Sequence, residues 1–456
     1  MQMDALEKID FGFGAAQHDT NLKSYFYKSV AFDLACSDRV YLILGAKGAG
    51  KSAIYQMLRE WEHEIAIFKK PNLWLGEEPK LQQHWVTLHP AVSSSKVALW
   101  RFYVASLIAG RLSNEDGLPD TTRKTFERFL VRWGLVGMVP TPWQSFRALK
   151  FKVGIGDYVT TEIPPKIPLT MTECDQVIHL ATSWLEEQGA DLWICLDSLD
   201  EVRLNGTQED EIEELLSSLM MTVSDLIRLR RLKFKLFFRS DIYDGLGWVN
   251  KDHFSALKLA LKWTKEDIGI LLAHRLALLH PEHKDGITFP VAKKWLNEVF
   301  DWGTTYPDGF EGFYELFKDG NGDALPRDFV NFCIEARKSQ MTFNRQGVNK
   351  PTNLISAEAI RQAVQLTAGA KLDDFLQVFP NYSQTYKQLS GHNSRTFNRE
   401  ELSNALGKTD LDAKLVISDL VRIGAVAIKD KRAVNLSDSF EIPYLHAVAL
   451  EIGGIS

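Results

Sequence analysis

The residues whose types and spacing point to chemistry begin at Gly45. Gly45-Ala46-Lys47-Gly48-Ala49-Gly50-Lys51-Ser52 fits the pattern G-x-x-x-x-G-K-[ST] at every position. Each residue type has a physical reason to be there. Glycines let backbone N–H groups curl inward around phosphate oxygens, an approach that a side chain would block. A helix starting directly after the loop adds the positive end of its dipole. Lys51 supplies a point charge near the β- and γ-phosphates, and the Ser52 hydroxyl is a ligand for Mg²⁺. A glycine-rich turn with a fortuitous Lys-Ser is the bland alternative. The flanks argue against it: Arg39-Val-Tyr-Leu-Ile-Leu44 reads as a buried strand, and Lys51 to about Glu62 as a helix. ATP with Mg²⁺ is the ligand this motif expects.

A second acidic site fits the first. Leu192-Trp-Ile-Cys-Leu196 is an apolar run that ends at Asp197, with Asp200 and Glu201 just beyond. A carboxylate at the end of such a strand lies at the crevice where open α/β sheets bind ligands. Asp197 then holds Mg²⁺ through water, and Asp200 or Glu201 polarises the attacking water. The strand Lys233 to Phe238 is followed by Arg239-Ser240-Asp241. Arg239 either senses the γ-phosphate and stabilises transition-state charge, or simply pairs with Asp241. Farther on, Arg327 follows Pro326; it is either a phosphate contact from a lid or a solvated residue at a helix start.

These residues need a scaffold, and the hydrophobic pattern supplies one. Leu22 to Ala35 reads as a helix, and His84 to His89 as a second strand stopped by Pro90. Val97–Leu112, Cys174–Gln188 and Glu209–Arg230 read as helices. Strands alternating with helices imply a parallel sheet covered on both faces. Residues 114–170, punctuated by Pro140, Pro142, Pro164, Pro165 and Pro168, read as an insertion. After about residue 260 the pattern turns helical, with Thr264 capping one helix and others over Val291–Val299, Arg327–Lys338 and Ala357–Leu366. In the last segment Asn398 and Glu401 form a capping box. A helix runs from Thr409 to Gly424, and Ala425–Ile428 and Ala433–Leu436 flank a turn at Lys429–Arg432. Helix, helix, hairpin is a winged-helix pattern. The expected division is a P-loop domain over 1–260, a helical lid over 261–370 and a winged-helix domain over 371–456.

Composition sets outer bounds. The chain has 456 residues, 45% apolar and 25% charged, and a formal net charge of −6. That gives no support to a general nucleic-acid coat. Four scattered cysteines without a CxxC pair indicate neither a zinc site nor a disulfide framework and read as buried free thiols. No apolar stretch approaches a membrane span, and the start lacks the basic and apolar regions of a signal peptide. A cytoplasmic protein is expected.

Taken in order, Gly45–Ser52, the LDSLDE run at 196–201, FFRSD at 237–241, LPRDFVNF at 325–332 and the terminal winged helix resemble the additional-strand, catalytic-glutamate division of P-loop ATPases. Within it they resemble the STAND and KAP-like bacterial branch, relatives of AAA+ and origin-recognition ATPases. The resemblance places the strand ending at Phe238 between those ending at Leu44 and Leu196 only where the family's usual rearranged strand order holds. It also implies a regulated switch, with possible roles in anti-phage defence. Two features depart from it. Ser198 stands where members with paired acids place the second one, and the stretch from Ser52 to Asp197 is long.

The leading expectation is therefore a regulatory ATPase that controls a protein partner, with effector chemistry in another chain and a homo-oligomer assembled through Arg239. The rival is a DNA loader or remodeller whose Lys429, Lys431 and Arg432 touch phosphates. A nucleotide-binding scaffold without turnover is a third reading. A metabolic kinase fits the helical tail less well.

Overall fold

The computed structural model describes residues 6–60, 72–77, 96–133, 135, 171–199, 209–247, 251–279, 286–304, 306, 308–347, 354–430 and 432–454. The chain divides into two compact units. One comprises Ala31–Leu44 and Ile54–Ala260; the other comprises Met1–Val30, Gly45–Ala53 and Leu261–Ser456.

The first unit is an α/β sheet. Its strands are β1 (Leu42–Gly45, the last residue passing to the other unit), β2 (Asn72–Glu77), β3 (Asp191–Leu196), β4 (Leu232–Arg239) and β5 (Lys258–Ala260), in the order β2-β3-β4-β1-β5. The pairs β2–β3, β3–β4 and β1–β5 are parallel. The Leu236 amide donates to Tyr41 O at 2.9 Å where β4 meets β1. β4 thus lies between β1 and β3, so the rearranged order holds.

The pleat sends alternate side chains to opposite faces. Leu192, Ile194, Leu196, Phe234, Leu236 and Phe238 face one core together with helices α2 (Lys96–Leu112), α3 (Asp120–Trp133), α4 (Met171–Gln188) and α5 (Glu209–Leu226). Trp193, Cys195, Lys235 and Phe237 alternate with them and are also buried. Phe237 meets Tyr55 of the helix Lys51–Glu60 edge-on at 5.8 Å. Lys235 is an unusual member of this face. Its Nζ donates to Ser37 O and Val40 O and lies 4.9 Å from the Trp193 ring centroid. A buried ammonium is costly without partners; here its partners are the carbonyls of the turn that leads into β1.

In the second unit, α6 (Lys265–Leu276), α7 (Phe289–Val299), α8 (Pro326–Gln346) and α9 (Ala357–Val378) enclose a core with a dense aromatic group: Phe300, Trp302, Phe310, Phe313, Phe317, Phe329 and Phe332. Thr264 and Asp267 cap α6 reciprocally. A separate core spans residues 372–452. There β6 (Thr396–Phe397), α10 (Arg399–Ala405), α11 (Asp410–Arg422), β7 (Ala427–Ile428), β8 (Phe440–Glu441) and α12 (Tyr444–Ala449) make a winged helix with the antiparallel sheet order β6-β8-β7. Asn398 and Glu401 form the expected capping box.

Several sequence expectations change. The helix expected over Leu22–Ala35 is two short pieces, Leu22–Tyr25 and Val30–Ala35. Tertiary contacts draw out the residues between them: Tyr27 Oη donates to Asp267 at 3.1 Å and its ring stacks on His274. The outgoing arm of the wing is Phe440–Glu441, not Ala433–Leu436. Arg399 binds Val434 O and Ser437 O, and Ser437 Oγ donates to Asp430, so residues 433–436 turn instead of pairing. β2 was not expected. The strand expected at His84–His89 and the proline-rich part of the insertion lie outside the described residues, as does Lys431; within 114–170, α3 is helical. All four cysteines are buried, and none is in a disulfide. Among the described residues, no helix is long and apolar enough to cross a membrane.

Candidate functional site

β1 is buried throughout and ends in the loop Gly45–Gly50, after which Lys51 opens the helix α1 (Lys51–Glu60). Gly48 and Gly50 hold φ at +93° and +94°, which side chains rarely tolerate. Gly45 meets a different limit: a Cβ there would sit 2.9 Å from Ala49 Cβ and 3.3 Å from Leu261 Cβ. The Ala49 amide donates to Ala46 O at 3.1 Å, closing the turn. Lys51 is 8% exposed and folds its ammonium onto Gly45 O at 2.9 Å and Ala46 O at 3.1 Å. Glycine geometry, a buried lysine and a helix start are the features a phosphate chain needs, so these residues fit a nucleoside triphosphate.

The loop is braced from three sides within its own unit. Trp263 Nε1 donates to Ala49 O at 2.8 Å, and Tyr314 Oη holds Trp263 O at 3.0 Å. From the N-terminal segment, Gln17 Nε2 donates to Ser52 Oγ at 3.1 Å. That segment is anchored by Arg275, which donates to Phe11 O at 2.5 Å, lies 3.6 Å from Asp19 and stacks over the Tyr25 ring at 4.3 Å. Burial and the Asp19 hydrogen bond push the Tyr25 hydroxyl above its ordinary pKa, so it stays a donor. From α8, the Arg327 amide donates to Gly48 O at 3.3 Å. The Arg327 guanidinium donates to Gly14 O at 3.3 Å and to Asp374 Oδ2 at 3.4 Å, while Lys47 Nζ lies 3.2 Å from Asp374 Oδ1. Arg327 is thus brought to the loop, as are Lys47, Lys51 and Ser52.

Asp197 and Arg239 belong to the sheet unit. Asp197 follows β3 directly and is 2% exposed. The next residue, Ser198, has φ +57°, an uncommon conformation for a residue other than glycine that redirects the chain at the strand end. Arg239 ends β4 and is 4% exposed; its Nε and Nη2 donate to the two Asp241 oxygens at 3.0 and 2.7 Å. The pairing with Asp241 is therefore present. Asp200 and Glu201 lie outside the described residues. Among the described residues no group of three or more His, Cys, Asp or Glu is arranged to hold a metal. Such clusters differ from a P-loop, where a serine hydroxyl and the phosphates themselves are ligands.

Sequence reasoning did not reach Gln17, Trp263 or Asp374. No local pattern marks them; they are recruited from distant segments by folding.

No family model and no curated protein matches the sequence. Several solved structures are similar, three of them as follows. The Aeropyrum pernix ORC1 protein in complex with DNA is 13% identical, with TM-score 0.35, over 90% of this chain and 86% of that one. Cdc6p from Pyrobaculum aerophilum is 11% identical, with TM-score 0.30, over 90% and 85%. The Aeropyrum pernix ORC2 protein in ADPNP–ADP complexes is 12% identical, with TM-score 0.31, over 94% and 92%. Likeness of this degree assigns no activity.

Proposed function

We propose that this chain binds ATP with Mg²⁺ at Gly45–Ser52 and hydrolyses it, using the nucleotide state to control a protein partner. The observation that carries this reading is the loop itself: Gly48 and Gly50 in left-handed conformations, closed over a buried Lys51 whose ammonium rests on two loop carbonyls. On binding, Lys51 exchanges those carbonyls for β- and γ-phosphate oxygens. Ser52 would exchange its Gln17 contact for Mg²⁺, and Asp197 is the acid that the sequence motif assigns to the same ion through water. Arg327 adds positive charge from the start of α8. Asp200 or Glu201 polarises the attacking water, and Arg239 serves its own chain.

The division into 1–260, 261–370 and 371–456 is retained as a proposal. Membership of the STAND and KAP-like branch, with a role in anti-phage defence, is supported by the order of motifs alone. A protein partner is favoured over duplex DNA by the winged helix. Lys429 and Arg395 both pair with Glu441 at 2.7 Å, and Arg399 is held by backbone carbonyls. The outer face of α11 exposes Leu411 and Leu415 beside Asp412. Lys414 is exposed on the same face, but its charge is balanced by Asp412, and the two leucines are the larger part of what the face presents.

Calorimetric titration of ATP·Mg²⁺ tests the reading. A charged hydrogen bond is worth about 1.5–3 kcal/mol, so Lys51→Ala should weaken binding at least about tenfold while the protein stays folded. Unchanged affinity in a folded variant would end it. An ATPase assay of Glu201→Gln, with Asp200→Asn beside it, then tests turnover: slowed hydrolysis with retained binding is expected.

A further inference from the structure

Asp374 joins the two cations that flank the phosphate loop. Its Oδ1 faces Lys47 Nζ at 3.2 Å and its Oδ2 faces Arg327 Nη1 at 3.4 Å. Both pairs are accessible, with Asp374 at 44%, Lys47 at 32% and Arg327 at 26% side-chain exposure. Such pairs are weak enough to exchange. The neighbouring pair behaves differently. Lys371 and Asp328, one turn along α9 and one residue along α8, form an ion pair at 12% and 10% exposure. That buried pair keeps α8 and α9 in register, while the exposed one can open.

We propose that Asp374 is the residue by which this chain tells a nucleoside triphosphate from a diphosphate. Its carboxylate competes with the terminal phosphate for Lys47 and Arg327. The inference rests on the reading of Gly45–Ser52 as an ATP site. A terminal phosphate carries more negative charge than a carboxylate and draws both cations away; a diphosphate lacks that group and leaves the pairs closed.

The release has an effect built into its position. Asp374 lies in the last turns of α9, next to Asp373, where the helix dipole disfavours negative charge. Lys47 and Arg327 offset that cost, and losing them loosens the turn. The following residue, Phe375, packs at 4.9 Å on the Tyr386 ring and at 5.2 Å on the His446 ring in the winged-helix core. Triphosphate binding is thereby transmitted to the winged helix through one side chain.

The test is calorimetric titration of ATP·Mg²⁺ and ADP·Mg²⁺ into the full chain, comparing wild type, Asp374→Asn and Asp374→Glu. Exposed ion pairs set the scale. Asp374→Asn should raise ATP affinity about three- to tenfold, change ADP affinity less than about twofold, and lose part of its effect in high salt. Asp374→Glu should keep the wild-type ratio of the two affinities. Hydrogen exchange over residues 372–388 should rise with ATP and not with ADP in the wild type, and be high without nucleotide in Asp374→Asn. Equal shifts for both nucleotides, or none, would overturn the role of Asp374 while leaving the ATP site standing. A wild type that binds neither nucleotide would overturn the ATP site and this role together.

Discussion

Acidification should loosen the winged-helix core through one residue, His446. This imidazole is 4% exposed, with Nδ1 at 2.7 Å from Tyr386 Oη. The Tyr386 hydroxyl donates to Ala425 O at 2.9 Å, so its oxygen accepts from a protonated His446 Nδ1. The neutral ring already satisfies this arrangement. A second proton would place a charge in a sealed site, and burial, aided by Lys371, lowers the His446 pKa to about 3. In the unfolded chain the group titrates near its ordinary 6.5. The unfolded state therefore binds more protons between those values, and stability is full above pH 6.5 and lost as pH falls towards 3. At about 1.4 kcal/mol per pH unit, moving from pH 6.5 to 5 costs about 2 kcal/mol. Hydrogen exchange of peptides from residues 372–452 at pH 7 and pH 5, corrected for intrinsic rates, reads this core by itself. His446→Asn keeps a donor and cannot titrate, so its protection should fall less with acid than the wild type's. Parallel pH profiles for the two proteins would refute the reasoning.

Two further outcomes follow from the glycines and from Lys235. Gly48→Ala and Gly50→Ala both meet left-handed backbone worth about 1–3 kcal/mol. The new Cβ at Gly48 also lies 3.0 Å from Arg327 Cβ, against an ordinary 3.5 Å contact with Trp263 at Gly50; titration should show Gly48→Ala losing more ATP affinity. Lys235→Met strands the carbonyls of Ser37 and Val40 inside the sheet unit. Urea denaturation should show a loss of about 1–3 kcal/mol, and an unchanged midpoint and slope would contradict the role given to that lysine.

The parts legible in the sequence share a property: their signal is local. β1 and β3 are near-continuous apolar runs because both of their faces are covered, β4 is mostly apolar around Lys233 and Lys235, and Gly45–Ser52 reads as a motif because the backbone demands its glycines. β2 carries Asn72, Gly76 and Glu77 and gives no such run. The break at Phe26–Ser29 depends on Asp267 and His274, more than two hundred residues away. The wing misreads for the same reason: Ala433–Leu436 has strand-like residues, but Arg399 holds the carbonyls of Val434 and Ser437. At the site, Arg327 could be picked out beside Pro326, whereas Asp374 sits in an acidic helix turn indistinguishable from any solvated one until folding brings it to Lys47.

The strand order also bears on the order of events during synthesis. β1 has no neighbour near it in sequence, since both of its partners, β4 and β5, leave the ribosome much later. At roughly 5–20 residues per second, the ~190 residues from β1 to β4 take on the order of ten to forty seconds to appear. For that interval β1 is an unpaired apolar strand on a growing chain, and the loop it carries has no frame. The sheet cannot zip from one end; β4 must enter between β1 and β3, and such non-local pairing is slow. The nucleotide site is thus encoded early and completed late, and nascent chains of this protein should bind chaperones until the strand at residues 232–239 has emerged.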